Sequence, residues 1–237
     1  KEVQAAVLDG RADLAVHSAK DLPSVAVPGL ALACVPERGD PRDALVGATL
    51  AGLPERAEVA TGSLRRQAQL AAVRPDLRFV GLRGNMATRL AKAADHDAVV
   101  VAATAFDRLG LADHLTERLP TGVVLPQVGQ AALAVECRSD DDVLLGLLAA
   151  VEHGPTRRCV DAERAFLSEL GGDCSLPAAC FAVLTDDGHL SVEGRLLSVD
   201  GRVCLAEVMA GNDASTGAQV ARTLLDDRGG RELLSHA

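Results

Sequence analysis

The chain has 237 residues, 48% hydrophobic and 24% charged, an ordinary globular composition with room for one large domain or two to three small ones. Only 2% are aromatic, with no Trp or Tyr, and the net charge is −9; both argue against nucleic acid as a partner. No apolar run approaches the ~20 residues that a membrane-spanning helix needs, and no signal-peptide pattern is present.

Residues 1–9 pattern as a helix without an N-cap signal, and the start is read as lying inside a domain. "ADLAVH" (12–17) reads as a buried strand, followed by the loop "SAKDLP". "LALACV" (30–35) is a second strand, and "ERGDPRDALVG" (37–47) a polar crossing. "AEVA" (57–60) is a short strand that turns through "TGS" into the helix "LRRQAQLAAV". "LRFVGL" (77–82) turns through "RGN" into the helix "MATRLAKAA", and "DAVVVAA" (97–103) leads into the helical "TAFDRLGL". Strands alternating with helices over short connections are the signature of parallel α/β units. From residue 125, "LPQVGQAALAVECR" reads as a proline-led segment and then a helix. After about residue 154 the pattern changes to a small α+β unit. An amphipathic helix (156–170) precedes three alternating strands near 178–185, 189–197 and 202–209, joined by "DDG" and "VDG" turns, and a last helix covers 216–226.

The chain is acidic, yet residues 61–89 hold Arg65, Arg66, Arg74, Arg78, Arg83 and Arg89 against one acid, Asp76. Arg65 and Arg66 fall in the first turn of a helix. Cations there are unfavourable for the helix itself, while free N–H groups already favour an anion, so the placement points to an anionic ligand. The planar guanidinium grips a carboxylate or a phosphate through paired hydrogen bonds. Arg74 and Arg78 flank a Pro-Asp turn and read as surface ion pairs. Lys20 and Asp21 sit together in a strand-end loop beside this basic region, where a carboxylate can be poised for catalysis. His17 ends an apolar strand and reads as a hydrogen-bonded structural residue. Of the cysteines Cys34, Cys137, Cys159, Cys174, Cys180 and Cys204, none forms a C-x-x-C pair, so no metal site is expected. A reduced, cytosolic protein is the reading that follows. Cys174 lies in "LGGDCSLPAAC" where a helical pattern stops. Packing residue, disulfide half, metal ligand, nucleophile and attachment point all stay open for it.

The segments "HSAKDLP", "ERGDPRDALVG", "TGSLRRQAQL", "LRGNMATRL", "AATAFDRLGL", "LPQVGQAALAVECR" and "AERAFLSELGGDCSLP", in this order, resemble the porphobilinogen deaminase (hydroxymethylbilane synthase) family across essentially the whole chain. The resemblance implies a cytoplasmic transferase of tetrapyrrole, haem and porphyrin biosynthesis. It would join four porphobilinogen units into hydroxymethylbilane with release of ammonia. It implies a dipyrromethane cofactor, covalently attached through Cys174. Asp21 would be the catalytic carboxylate facing pyrrole N–H groups. Lys20, Ser18, Ser63, Arg65, Arg66 and Arg89 would hold the cofactor's acetate and propionate groups, and Arg83 and Arg108 would serve the incoming substrate and growing chain, with Arg83 also counted catalytic.

The implied fold is α/β, with two periplasmic-binding-protein-like domains around a cleft plus a small C-terminal α+β domain with a three-stranded antiparallel sheet. The expected domains are 1–37 with 131–150, then 38–127, then 154–237. The implied partner is porphobilinogen, with no nucleic acid, no membrane and a monomeric state. The family pattern also has a further N-terminal stretch, expected to be missing here, and the chain departs from it in placing Asp173 beside Cys174. A carboxylate-binding module, or a catalytically impaired fragment of the same fold, is the competing reading; the attachment cysteine discriminates against a pure binder.

Overall fold

The computed structural model describes residues 2–23, 25–171 and 177–235. They form a mixed α/β structure with three separate sheets. The first is antiparallel and joins distant parts of the chain. Strand β1 (Leu14–Ser18) and strand β2 (Leu30–Cys34) both pair with β8 (Leu133–Arg138), in the order β1-β8-β2. Helix α1 (Glu2–Leu8) packs on it through Val7, against Ala15 and Leu30.

Residues 133–138 were expected to be helical. They are a strand, and four of the six residues are buried. Ala and Leu favour helix locally, but β8 finds a partner strand on both sides, and sheet pairing outweighs propensity.

The second sheet has the order β5-β4-β6-β3-β7, built from β3 (Asp43–Val46), β4 (Glu58–Ala60), β5 (Arg78–Val80), β6 (Ala98–Ala102) and β7 (Glu117–Arg118). The expected parallel pattern holds for β4 with β5 and β6; β3 runs antiparallel to β6 and β7. All five residues of β6 are buried, as expected for a strand covered on both faces. Leu45, Val59 and Val100 pack on one side with Leu70 of α2 (Leu64–Val73). Val99, Val101 and Ala60 pack on the other with Phe106 of α4 (Ala103–Arg108). The segment 37–47 is not wholly a polar crossing: it ends in β3, whose four residues are all buried, Asp43 among them.

The third sheet, in the order β11-β10-β9, is antiparallel and comprises β9 (Ala178–Leu184), β10 (Leu190–Leu197) and β11 (Cys204–Gly211). Helices α6 (Gly154–Glu169) and α7 (Ser215–Arg222) cover one face around Phe166, Val192 and Val220. Helix α3 (Met86–Ala91) follows β5 and packs Met86 and Leu90 against the second sheet, and α5 (Asp142–Leu148) follows β8. The chain ends in α8 (Gly230–Ser235).

One buried carboxylate ties the three sheets together. Glu163 of α6 accepts from Arg38 Nη1 (2.6 Å) and Nη2 (3.2 Å). It also accepts from the backbone amides of Gly129 (2.7 Å) and Ala182 (3.0 Å). Arg38 lies on the outgoing crossing from β2 to β3, Gly129 on the return crossing to β8, and Ala182 on β9. The Arg38 guanidinium also sits 4.9 Å above the Phe181 ring.

Candidate functional site

Four chain segments converge on one cavity of about 500 Å³. The first is the 3-10 turn Ala19–Asp21 that follows β1 and supplies Lys20 and Asp21. Two contacts from α6 hold this turn: Leu22 is buried in a cluster with Val160, and Arg164 Nη2 donates to the Pro23 carbonyl at 2.9 Å. Gly129 presses on it from behind. Its φ is +67°, and a Cβ there would stand 2.9 Å from Ala19 C and Lys20 N, so the return crossing approaches as only glycine permits.

The second segment is the turn after β4. It supplies Gly62, Ser63, Leu64 and Arg66. Ser63 caps α2, its hydroxyl accepting from the Arg66 amide at 3.4 Å. The third is the β5–α3 region, which contributes Leu82 and Arg89, and the fourth is the return crossing, whose Gln127 closes the wall. Arg89 Nε donates to the Gly84 carbonyl at 3.0 Å, and Asn85 caps α3 by accepting from the Thr88 amide at 2.9 Å. The cavity wall thus carries Lys20, Arg66 and Arg89 against one acid, Asp21.

The electrostatics follow from this crowding. Burial lowers the Lys20 pKa below the usual lysine range, and Arg66 lowers it further; Asp21 and Asp43 partly oppose them. Burial also lowers that of Arg89, with Arg66 adding to the effect. An anion entering the cavity relieves both strains.

Arg65 and Arg66, adjacent in sequence, do different things. Both meet Asp43, which has no solvent exposure. Arg66 donates to Asp43 Oδ1 from Nε (3.0 Å) and Nη2 (2.7 Å), and from Nη1 to the Val100 carbonyl (3.2 Å). Arg65 Nη1 lies 2.8 Å from Asp43 Oδ2, an ion pair out of hydrogen-bond alignment, and donates to the Leu125 carbonyl at 2.6 Å. Gln130 Nε2 adds a third donor to Asp43 Oδ1 at 2.9 Å. Burial works to raise the Asp43 pKa, and the two guanidiniums outweigh it, holding the carboxyl at about 2. Arg66 reaches the cavity wall, whereas Arg65 is not among the lining residues. Nε and Nη2 of Arg65 have no hydrogen-bond partner among the described residues.

Of the residues expected at the site, the structure therefore brings together Lys20, Asp21, Ser63, Arg66 and Arg89. Ser18 ends β1 just before the Lys20 turn, paired with Leu133, without lining the cavity. Arg83 is exposed in the β5–α3 turn, and Arg108 Nη2 donates to the Ala131 carbonyl at 2.9 Å; neither lines the cavity. Cys174 lies outside the described residues. The other five cysteines are free thiols. His17 Nε2 stands 3.0 Å from buried Glu136 but out of hydrogen-bond alignment, so the hydrogen bond expected of it is not made there; Glu136 accepts from Gln4 Nε2 at 2.8 Å. Arg74 pairs with Asp76 across their turn. Sequence reasoning missed Asp43, Gln127, Gln130 and Arg164. Asp43 had a signal, as the last acid before the apolar run "ALV"; Gln127 and Arg164 had none that separates them from surface polar residues.

Residues 1–145 match the family model described as porphobilinogen deaminase, dipyromethane cofactor binding domain, and residues 157–226 match that of the porphobilinogen deaminase C-terminal domain. The chain belongs to the porphobilinogen deaminase family. A porphobilinogen deaminase of Roseiflexus castenholzii is 46% identical over 241 residues, covering 99% of this chain and 79% of that relative. One of Syntrophotalea carbinolica is 47% identical over 233 residues (95% and 74%), and one of Bacillus subtilis 42% over 240 residues (99% and 76%). Among solved structures, a putative periplasmic sulfonate-binding protein of Methylobacillus flagellatus is 15% identical with a TM-score of 0.39, covering 71% of this chain and 52% of that one, a likeness too low to carry an argument.

The donor set fits the cofactor that the porphobilinogen deaminase model names. Lys20, Arg66, Arg89 and the Ser63 hydroxyl bring to this cavity groups able to donate to carboxylates, and a dipyrromethane offers acetate and propionate carboxylates. The volume lies in the ~300–1,000 Å³ range of small-molecule clefts.

Proposed function

We propose that the chain joins four porphobilinogen molecules head to tail into hydroxymethylbilane, releasing ammonia at each addition, in tetrapyrrole biosynthesis. The observation that carries this is the cavity itself: a single carboxylate, Asp21, among Lys20, Arg66 and Arg89, in a chain matched over residues 1–145 by the cofactor-binding domain of this family.

Each residue has a chemical task. Lys20, Arg66, Arg89 and Ser63 take acetate and propionate groups and fix the rings in the cavity. When bound, the dipyrromethane supplies the pyrrole carbon to which the first substrate unit is joined. Loss of ammonia from porphobilinogen leaves positive charge on its ring nitrogen. Asp21 stabilises that charge and accepts or relays the proton lost as the new bond forms. A lysine in this role would repel the developing cation, which is why the acid and not its neighbour is the catalytic group. Arg83, exposed at the β5–α3 turn, meets incoming substrate, and Arg108 serves the growing chain. Arg65 and Ser18 complete the cofactor's surroundings, and Cys174 carries the thioether.

The same reading divides the chain into 1–37 with 131–150, 38–127, and 154–237, with the first two as periplasmic-binding-protein-like lobes around the cleft. The three separate sheets support that division. A monomeric, cytoplasmic enzyme goes with it, and the free thiols support a reducing compartment. Asp21→Asn tests the assignment. Turnover of porphobilinogen should fall by about 10²–10⁴-fold, the usual contribution of a positioned acid or base, with the unfolding midpoint unchanged because Asp21 is exposed. Unchanged turnover would remove Asp21 from the chemistry.

A further inference from the structure

A continuous line of polar contacts runs from the third sheet to the buried arginine beside the cavity. Arg195 of β10 is held by Glu193, with Nε 2.8 Å and Nη2 2.6 Å from Glu193 Oε1. Its Nη1 donates to Oε1 of Gln69 at 3.1 Å. Gln69 sits one turn past Arg65 on α2 and is 2% exposed. The same Oε1 accepts from the Leu125 amide at 2.8 Å, and Gln69 Nε2 donates to the Leu125 carbonyl at 3.1 Å. Arg65 Nη1 donates to that carbonyl as well. Gln69 therefore satisfies both backbone groups of Leu125, two residues before Gln127 of the cavity wall.

The packing at this point is close. Gly201, in the turn between β10 and β11, has φ +71°, and a Cβ there would stand 2.4 Å from the Ala68 carbonyl oxygen and 2.7 Å from the Ala72 amide. The turn is seated on the backbone of α2 itself. An amide oxygen has two lone pairs, and Gln69 spends one on Leu125 and one on Arg195. Leu125 already requires this amide orientation through its N–H and C=O, and Arg195 reinforces it with a charged donor on the same oxygen, which holds Gln69 against Leu125.

We propose that Arg195 is a positioning residue for the cavity. Through Gln69 it holds Leu125, and with Leu125 both Gln127 and the Arg65–Asp43–Arg66 unit, in the arrangement that receives the pyrrole carboxylates. This rests on the function proposed above for its substrate, whereas its geometry does not. A part that only filled the interface would need bulk; this one needs a donor aimed at Gln69 Oε1.

The test combines amide hydrogen exchange at Leu125 with steady-state kinetics on the full chain, for wild type, Arg195→Ala, Arg195→Lys, Gln69→Ala and the double variant Arg195→Ala/Gln69→Ala. In Arg195→Ala, Leu125 exchange should quicken about tenfold and the KM for porphobilinogen rise about tenfold, with kcat within about twofold. Arg195→Lys should recover most of both, and Arg195→Ala should add nothing once Gln69 is Ala. Unchanged exchange and KM, a fall in Tm with KM unchanged, or additive effects in the double variant would overturn the proposal. If Arg195→Ala does not fold, Arg195→Met, which keeps the apolar stem, carries the same comparison. If wild type does not turn over porphobilinogen, the proposed function fails, and Leu125 exchange still decides whether Arg195 holds the cavity wall.

Discussion

Asp43 has no contact with solvent and yet stays ionised, because Arg66 and Gln130 donate to it and the Arg65 guanidinium stands against it as an ion pair. Such a group links stability to pH. Its folded pKa of about 2 lies below the ~3.9 of an unfolded aspartate, so the stabilisation is fully present above about pH 4. As pH falls through about 4 and past about 2 it is lost, about 2–3 kcal/mol in all. Asp43→Asn should cost about 3–5 kcal/mol at neutral pH, because it leaves two buried guanidiniums sharing no charge. It should also flatten this part of the acid limb. Denaturant unfolding at pH 7 and pH 3 reads both; a variant as stable as wild type at pH 7 would contradict the account.

At this scale the sequence was informative about residue type and position. A strand-end Lys-Asp pair and two arginines in the first turn after "TGS" marked the cavity. It could not show that Arg65 turns inward, because its partner acid lies outside the basic segment and meets it only when β3 pairs beside β6.

Among elements, α6 carries the most connections. Its Glu163 joins both crossings and β9, its Arg164 holds the turn bearing Asp21, and its Val160 packs under Leu22. Glu163→Gln keeps the shape and removes the charge opposite Arg38, a pair with side-chain exposures of 10% and 0%. It should destabilise the protein by about 3–5 kcal/mol, measured by chemical unfolding. A change under about 0.5 kcal/mol would mean that the Arg38 pair does not join the sheets energetically. Local pattern was enough to find α2, α6, β6 and the three C-terminal strands, where periodicity and turn residues agree. It failed for β8, whose Ala-Leu-Ala-Val run has no strand signal of its own and is strand only because β1 and β2 flank it. It failed likewise for β3, where a polar approach hid four buried residues.

The whole molecule carries a net charge of −9 around a cavity whose wall is cationic. That contrast suits an anionic substrate: field lines concentrate at the cleft, while the acidic exterior discourages binding elsewhere. The order of the motifs along the chain was legible in the sequence, and so was their gathering at strand ends. The contacts by which α6 grips both crossings and β10 grips α2 were not, since they join residues more than thirty positions apart through side chains with no periodic signature.

The central claim is that this cavity works with a cofactor carried on Cys174. Intact-mass spectrometry of the chain purified from a haem-producing host tests it most directly, alongside Cys174→Ser prepared in the same way. The account predicts wild type heavier by one dipyrromethane and active on porphobilinogen, and Cys174→Ser at its bare mass and inactive. Full turnover without the adduct, or an adduct that survives Cys174→Ser, would contradict it.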